Sequence, residues 1–282
     1  MKKIKRVFLY IVVLVIIFGV VAPYIWLVIS SVSTEAELLR VPLKWFPKTP
    51  NFKGYKEIIF GGKFATRTAL DFKKAVLNSL IVALSVTILC MVSGSISAYS
   101  FSRFRYKTLN FTFLAILAAQ MLPPIVIAIP MYMIFLRIGI LDNYITLIIV
   151  YSSFVLPLAI WFMKGFFDTI PEEIEEAAMV DGCSRIRSLV QIVLPLCSPG
   201  IASTSIFVFI ISWNEFFFAF LYTSTLTSKT LPVLVSEFAS KIGVDYVMMS
   251  TAGVLASLPP IVLALLFQKY IVKGLTSVTS RL

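Results

Sequence analysis

The chain has 282 residues, 59% of them hydrophobic, and a mean hydropathy of +0.94; a water-soluble protein of this length has no interior large enough to hide that much apolar surface. Its net charge of +11 is spread over segments between apolar runs, a pattern that membrane topology explains better than nucleic-acid binding does. With no histidine there is no His-based metal site, no Ser-His triad and no His proton relay, and Cys90, Cys183 and Cys197 lack metal-ligand spacing and read as reduced thiols.

Lys2, Lys3, Lys5 and Arg6 precede an apolar run over 8–30, longer than a signal-peptide core, which predicts a first membrane-spanning helix left in place. Residues 31–75 form a polar loop punctuated by Pro and Gly and carrying Trp45, Phe46 and Tyr55. A second span is predicted over 76–101, followed by the tight basic turn Ser102-Arg103-Phe104-Arg105-Tyr106-Lys107. The third, over 109–136, is interrupted by Pro123, Pro124 and Pro130, and the fourth, over 144–163, contains Pro157. A fifth is predicted over 201–222 and a sixth over 251–267, with Gly274 ending the last helix. Leu-Pro-Pro-Ile-Val occurs at 122–126 and again at 258–262, and proline's missing amide predicts a kink or local unwinding at both places. The expected fold is therefore all-α: one polytopic membrane domain over 1–282 with six transmembrane helices.

Between the fourth and fifth spans lies the longest polar island, 164–199. Thr169 and Glu172 have capping-box spacing, Pro171 fits a first helical turn, and Glu172, Glu173, Glu175 and Glu176 put negative charge where a helix start favours it. Ile174, Ala177 and Ala178 share one face, and Gly182 supplies a stop because it tolerates the left-handed conformation. Ser184 caps a second helix whose apolar residues Ile186, Leu189, Val190 and Val193 keep helical spacing, closed by Pro195 and Pro199. A linker lying on the membrane surface is the plain reading of two such helices, but it accounts for neither the paired alanines nor the acidic first turn.

The spacing of Glu176-Ala177-Ala178, Asp181-Gly182, Ile192, Leu194-Pro195 and Pro199 resembles the EAA coupling loop of permease subunits from ATP-binding cassette importers. Leu189 departs from that pattern, since many members carry an aromatic residue there. Outside the loop, Asn78-Ser79, Ala98-Tyr99, Ser102-Arg103-Phe104, Trp213-Asn214-Glu215-Phe216, Gln268-Lys269-Tyr270 and Lys273-Gly274 resemble the sugar-importing branch, in particular the second membrane subunit of maltose-type importers. The tail Leu275–Leu282 differs from the Gly-rich tail of many members. The resemblance implies a coupling role for Glu176, Ala177, Ala178, Asp181, Gly182, Ile192, Leu194 and Pro195. It also implies a second permease as heterodimer partner, two cytoplasmic ATPase subunits and an extracytoplasmic solute-binding protein, with a sugar as substrate in a prokaryotic inner membrane. Inner and outer segments carry 13 and 12 basic residues, so charge does not orient the chain; the resemblance places 164–198, and with it both termini, in the cytoplasm.

Glu215 is the one acidic residue predicted inside a span, and a charge there must face protein or water. Trp213, Asn214 and Glu215 read equally as a sugar-binding stretch of the solute pathway or as an interface anchor; Gln120 and Asn78 read as pore-lining residues or as hydrogen-bonding partners of neighbouring helices. Gly61-Gly62-Lys63 lacks the rest of a phosphate-binding loop, so the chain is expected to be no enzyme and to bind no cofactor, ATP-Mg belonging to the partner ATPases. Two alternatives are an importer subunit for an amino acid, polyamine or phosphate, and an ion-coupled carrier, to which one intramembrane acid gives little to couple with.

Overall fold

A computed structural model describes residues 2–61, 67–240 and 243–279. In chain order the helices are α1 (Lys2–Ser31), α2 (Glu35–Leu38), α3 (Lys53–Phe60), α4 (Arg67–Arg103), α5 (Lys107–Ala119), α6 (Pro124–Ile138) and α7 (Tyr144–Phe167). They continue with α8 (Glu172–Val180), α9 (Arg185–Ser188), a wide π turn (Leu189–Val193), α10 (Leu194–Leu196), α11 (Ser198–Trp213), α12 (Phe217–Tyr222), α13 (Leu231–Ser236) and α14 (Tyr246–Thr279). The described residues are otherwise irregular except for a ribbon of two two-residue strands, Ala239–Ser240 and Gly243–Val244. The fold is all-α and polytopic. Gly62 and Lys63 of the incomplete phosphate-loop motif, and residues 280–282 of the tail, lie outside the described residues.

Among the described residues four helices are long and apolar enough to cross a membrane, and the number reaches six when two sharply bent pairs, Lys107–Ala119 with Pro124–Ile138 and Arg185–Leu196 with Ser198–Trp213, are each taken as one span. The two copies of Leu-Pro-Pro-Ile-Val behave differently. At 122–126 the chain breaks: α5 and α6 meet at 92°, with Pro124 opening α6, where a missing amide does no harm. At 258–262 the expected kink is not a break, because α14 continues helically through Pro259 and Pro260. Gly274 does not end the last helix either, since α14 runs on to Thr279.

The chain divides into two compact units, Met1–Lys74 with Leu231–Leu258, and Ala75–Thr230 with Pro259–Leu282. In the first, the Thr251 hydroxyl donates to the Ser31 carbonyl (3.2 Å), Ser31 and Tyr55 share a 2.7 Å hydroxyl bond, and Tyr24 meets Ser257 at 3.0 Å. Gly54 of α3 lies so near α14 that a Cβ there would stand 2.8 Å from the Thr251 hydroxyl. In the polar loop, backbone amides of Lys48 and Thr34 hold the Glu37 carboxyl below the usual range.

The second unit is built on α7, which carries Leu147, Val150, Tyr151, Ala159, Met163 and Phe167 into the interior and packs along α11. The Asn78 amide donates to the carbonyls of Leu226 (2.9 Å) and Lys229 (2.8 Å) and accepts from the Tyr144 hydroxyl (2.6 Å). Asp142, in the left-handed region at φ 57°, accepts from the amides of Ser224 and Thr225 and the hydroxyls of Thr225 and Ser228. Burial pushes its carboxyl up, but the bonds from Thr225, Ser228 and Ser224 outweigh that and hold it below the usual range.

At the start of α11, Gly200 lies against the Phe166 ring, and an added Cβ would stand 2.3 Å from its Cγ. Gly200→Ala is therefore expected to destabilise the unit by about 1–3 kcal/mol, the usual range for overpacking. Thermal unfolding in detergent checks this, and adding Phe166→Leu should restore much of the loss.

Candidate functional site

In α8 the predicted capping box does not form. Pro171 occupies the cap position itself, and the Thr169 hydroxyl turns back to the Phe166 carbonyl at 2.7 Å. Glu172, Glu173 and Glu175 still fill the first turn, where the unpaired amides favour them. The helix ends as expected: Gly182 has φ +85°, its amide bonds the Met179 carbonyl (3.0 Å), and the Cys183 amide bonds the Ala178 carbonyl (3.0 Å). That pair of bonds is a Schellman stop, which leans on glycine's left-handed freedom. Ser184 then caps α9, accepting from the Arg187 amide at 3.3 Å. Pro195 does not close this second helix; the wide turn at Leu189–Val193 precedes it, and the chain bends 82° only between Leu196 and Ser198.

The two helices of the loop face opposite ways. Leu189 and Val193 turn inward, joining Ala98, Tyr99, Ile160, Met163, Phe167, Ile170 and Cys197 in one apolar core beneath the loop. Leu189, the residue departing from the family pattern, thus fills the chain's own interior. In α8, by contrast, Glu175 is buried at 3% exposure, while Ile174 and Ala177 face out and Val180 is 87% exposed. Ile186, 76% exposed, and Val190 extend that apolar surface onto the next helix. A soluble helix buries its apolar stripe; α8 leaves Ile174, Ala177 and Val180 exposed and turns one acid, Glu175, inward, while Glu173 and Glu176 stay in the open. Exposed aliphatic surface of this kind suits contact with another protein or with a membrane. Glu176, Ala177, Asp181, Gly182 and Pro195 are exposed, and Ala178, Ile192 and Leu194 are half-buried, Leu194 packing against the core.

Farther along, the predicted fifth span is not one helix. α11 stops at Trp213; the Asn214 side chain donates to the Ile210 carbonyl (2.9 Å), and Glu215 accepts from the amides of Phe218 (2.9 Å) and Ala219 (3.2 Å). The carboxylate serves as the cap of α12, meeting the positive end of a helix that restarts at Phe217. Trp213 is 2% exposed and stacks on Phe209, with ring centroids 5.7 Å apart, so it offers no free ring face to a solute. Asn78, with both amide hydrogens and its oxygen engaged, is likewise a tie between elements. Gln120 and Glu215, however, come together on one cavity of about 780 Å³, walled by Phe154, Trp161, Phe217 and Phe218. Gln120 also donates to the Phe154 carbonyl at 2.7 Å. Volume and lining are those of a small-molecule site, largely apolar and aromatic with a few polar groups. Trp161 was missed from sequence because it stands in an unbroken apolar run of the fourth span. Among the described residues no group of three acids or cysteines gathers as metal ligands.

Residues 90–277 match the family of binding-protein-dependent transport system inner membrane components. The chain is 32% identical to the trehalose/maltose transport system permease protein MalG of Thermococcus litoralis over 277 residues, covering 98% of this chain and 97% of that one. It is 30% identical to the diacetylchitobiose uptake system permease protein DasC of Streptomyces coelicolor, covering 96% of both. In fold it is similar to a chain of a bacterial ABC transporter involved in the import of the acidic polysaccharide alginate, with a TM-score of 0.76 at 19% identity over 95% of this chain and 97% of that one. Family membership makes it a transport component of a membrane, not an enzyme. The family model spans more than half of the sequence, and the chain belongs to the binding-protein-dependent transport system inner membrane components.

Proposed function

We propose that this chain is a permease subunit of an ATP-driven, binding-protein-dependent importer that takes up a carbohydrate of oligosaccharide size. Helix α8 carries the reading: its exposed aliphatic face with the small Ala177 suits a cleft in a cytoplasmic ATPase, while its acidic first turn suits an anionic membrane surface poorly. The sugar-importing relatives support the solute class, as does a cavity whose Trp161 and Phe154 can stack on sugar rings while Gln120 and Glu215 meet hydroxyls. The partners are a second permease, two ATPase subunits that hold ATP-Mg, and an extracytoplasmic binding protein. The chain itself binds no cofactor, and its surroundings are the lipid of an inner membrane.

In this reading 1–282 is one transmembrane domain of six spans with both termini in the cytoplasm. The spans fall in α1, α4, the bent pair α5–α6, α7, the α11–α12 pair and α14. At 1.5 Å per residue the 16 residues of α11 rise about 24 Å, short of a hydrocarbon layer of about 30 Å, so α12 completes the fifth crossing. ATPase closure draws the loops of the two permeases together and switches the pathway between its two faces.

The test is twofold. In a background lacking Cys90, Cys183 and Cys197, a membrane-impermeant thiol reagent added outside should modify a cysteine at Lys53 and miss one at Arg105. The complex assembled with its partners should then hydrolyse ATP faster when binding protein loaded with trehalose, maltose or diacetylchitobiose is added. Reversed labelling overturns the orientation, and stimulation by an amino acid or polyamine instead overturns the solute class.

A further inference from the structure

We propose that Arg103 and Glu175 form a buried strut that fixes the angle of α8 on the membrane helices, making both of them positioning residues for coupling ATP hydrolysis to transport. This inference rests on the reading of α8 as the helix that meets the ATPase.

Among the described residues of α8, Glu175 is the one buried side chain. The following segment is anchored by Leu189 and Val193 in an apolar core, but α8 has no such anchor. The hold made by its one buried side chain is therefore polar. The Glu175 carboxylate accepts from Arg103 Nε at 2.5 Å and from the Tyr99 hydroxyl at 2.7 Å. The same guanidinium donates to the Ser102 hydroxyl (3.0 Å), the Phe167 carbonyl (3.2 Å) and the Ile170 carbonyl (3.2 Å). Ser102 in turn donates to Asp168 (2.6 Å), which also accepts from Lys164 at 2.7 Å. Three places are thus gripped at once: the end of α4, the end of α7 and the inner face of α8.

The Arg103 and Glu175 side chains are 6% and 4% exposed, whereas the neighbouring pair Arg105–Glu172 is 84% and 41% exposed. The exposed pair, screened by water, contributes little. A buried pair is weak as a source of net stability, because desolvation offsets its attraction, and well-packed apolar residues often do as well. What a guanidinium fork bonded on several sides supplies is direction. A load applied to the outer face of α8 passes through Glu175 into α4 and α7, instead of being lost in the short connection 168–171.

The experiment compares sugar uptake per ATP hydrolysed in vesicles holding the whole complex, for wild type, Glu175→Gln, Arg103→Lys and the apolar pair Arg103→Met with Glu175→Leu. Arg103→Lys keeps the charge and loses the fork; the apolar pair removes both buried charges and fills their space, so it assembles even where a single change does not. The strut predicts that all three retain the ATPase and its hydrolysis, while uptake per ATP falls roughly 5–150-fold, the range of coupling between sites. A wild-type ratio in the apolar pair or in Arg103→Lys would overturn the strut, as would a loss of uptake that merely tracks the amount of complex assembled. The wild-type complex in the same vesicles separates the two readings. Failure to transport there overturns the importer reading and the strut with it, whereas normal coupling in the variants beside a transporting wild type overturns the strut alone.

Discussion

Gly182→Val and Ala177→Trp are each expected to leave the chain in the membrane and joined to its fellow permease while uptake falls about tenfold or more. At Gly182 the argument is conformational: φ is +85°, and a β-branched residue meets the left-handed penalty of roughly 1–2 kcal/mol before any partner is considered. Among the described residues, no atom beyond the two flanking residues and the helix's own backbone lies within 4 Å of a Cβ built there, so crowding is not the reason for the glycine. The strain shifts the Schellman stop and re-aims the exposed face of α8. At Ala177 the argument is steric. The alanine is exposed between Ile174 and Val180, and an indole there holds the partner away from the backbone. About 1.4 kcal/mol lost from the coupled state is a factor of ten. Glu176→Gln, an exposed charge near a helix start, should cost only about 0.3–1 kcal/mol. Co-purification of the ATPase, together with solute-stimulated hydrolysis, checks all three.

Glu215→Gln is expected to impair uptake by roughly tenfold while the complex stays assembled and hydrolysing, since a hydrogen bond to a charged group contributes about 1.5–3 kcal/mol. Glu215 also caps α12, so that variant alone does not separate a pathway role from a capping one. Trp161→Ala makes the separation, because Trp161 lies inside α7 and caps nothing; Gln120 closes α5 only through its backbone amide, so Gln120→Ala adds to it, and both line the same cavity. If the cavity lies on the solute route, all three variants lower uptake and alter the dependence on solute concentration. Wild-type uptake in Trp161→Ala and Gln120→Ala, beside a defect in Glu215→Gln, would reduce Glu215 to a structural cap.

The all-α polytopic character was legible because apolar runs of membrane length leave few alternatives, and the stop at Gly182 and the cap at Ser184 were legible because both are local. The break at 214–216 was not, since Asn214 and Glu215 sit in a run that reads as continuous helix until side chain and backbone are seen competing for the same bonds. The inward turn of Glu175 in α8 lay farther out of reach. Its cause is an arginine 72 residues upstream, and no pattern within the loop hints that Glu175 turns inward and Ile174 outward. The same holds for Asn78, whose role in packing depends on carbonyls that only the tertiary fold brings near.

The central claim, that α8 presents its apolar face to a cytoplasmic ATPase, is tested most directly by site-specific cross-linking in the assembled complex. With Cys90, Cys183 and Cys197 replaced, a single cysteine at Ala177 or at Val180 should cross-link to an ATPase subunit bearing a cysteine in its cleft, and nucleotide should change the yield. A cysteine at Lys53 should give no such product. Cross-linking from Lys53 with none from Ala177 or Val180, or labelling of Ala177 and Val180 by an impermeant reagent added outside, would contradict the account.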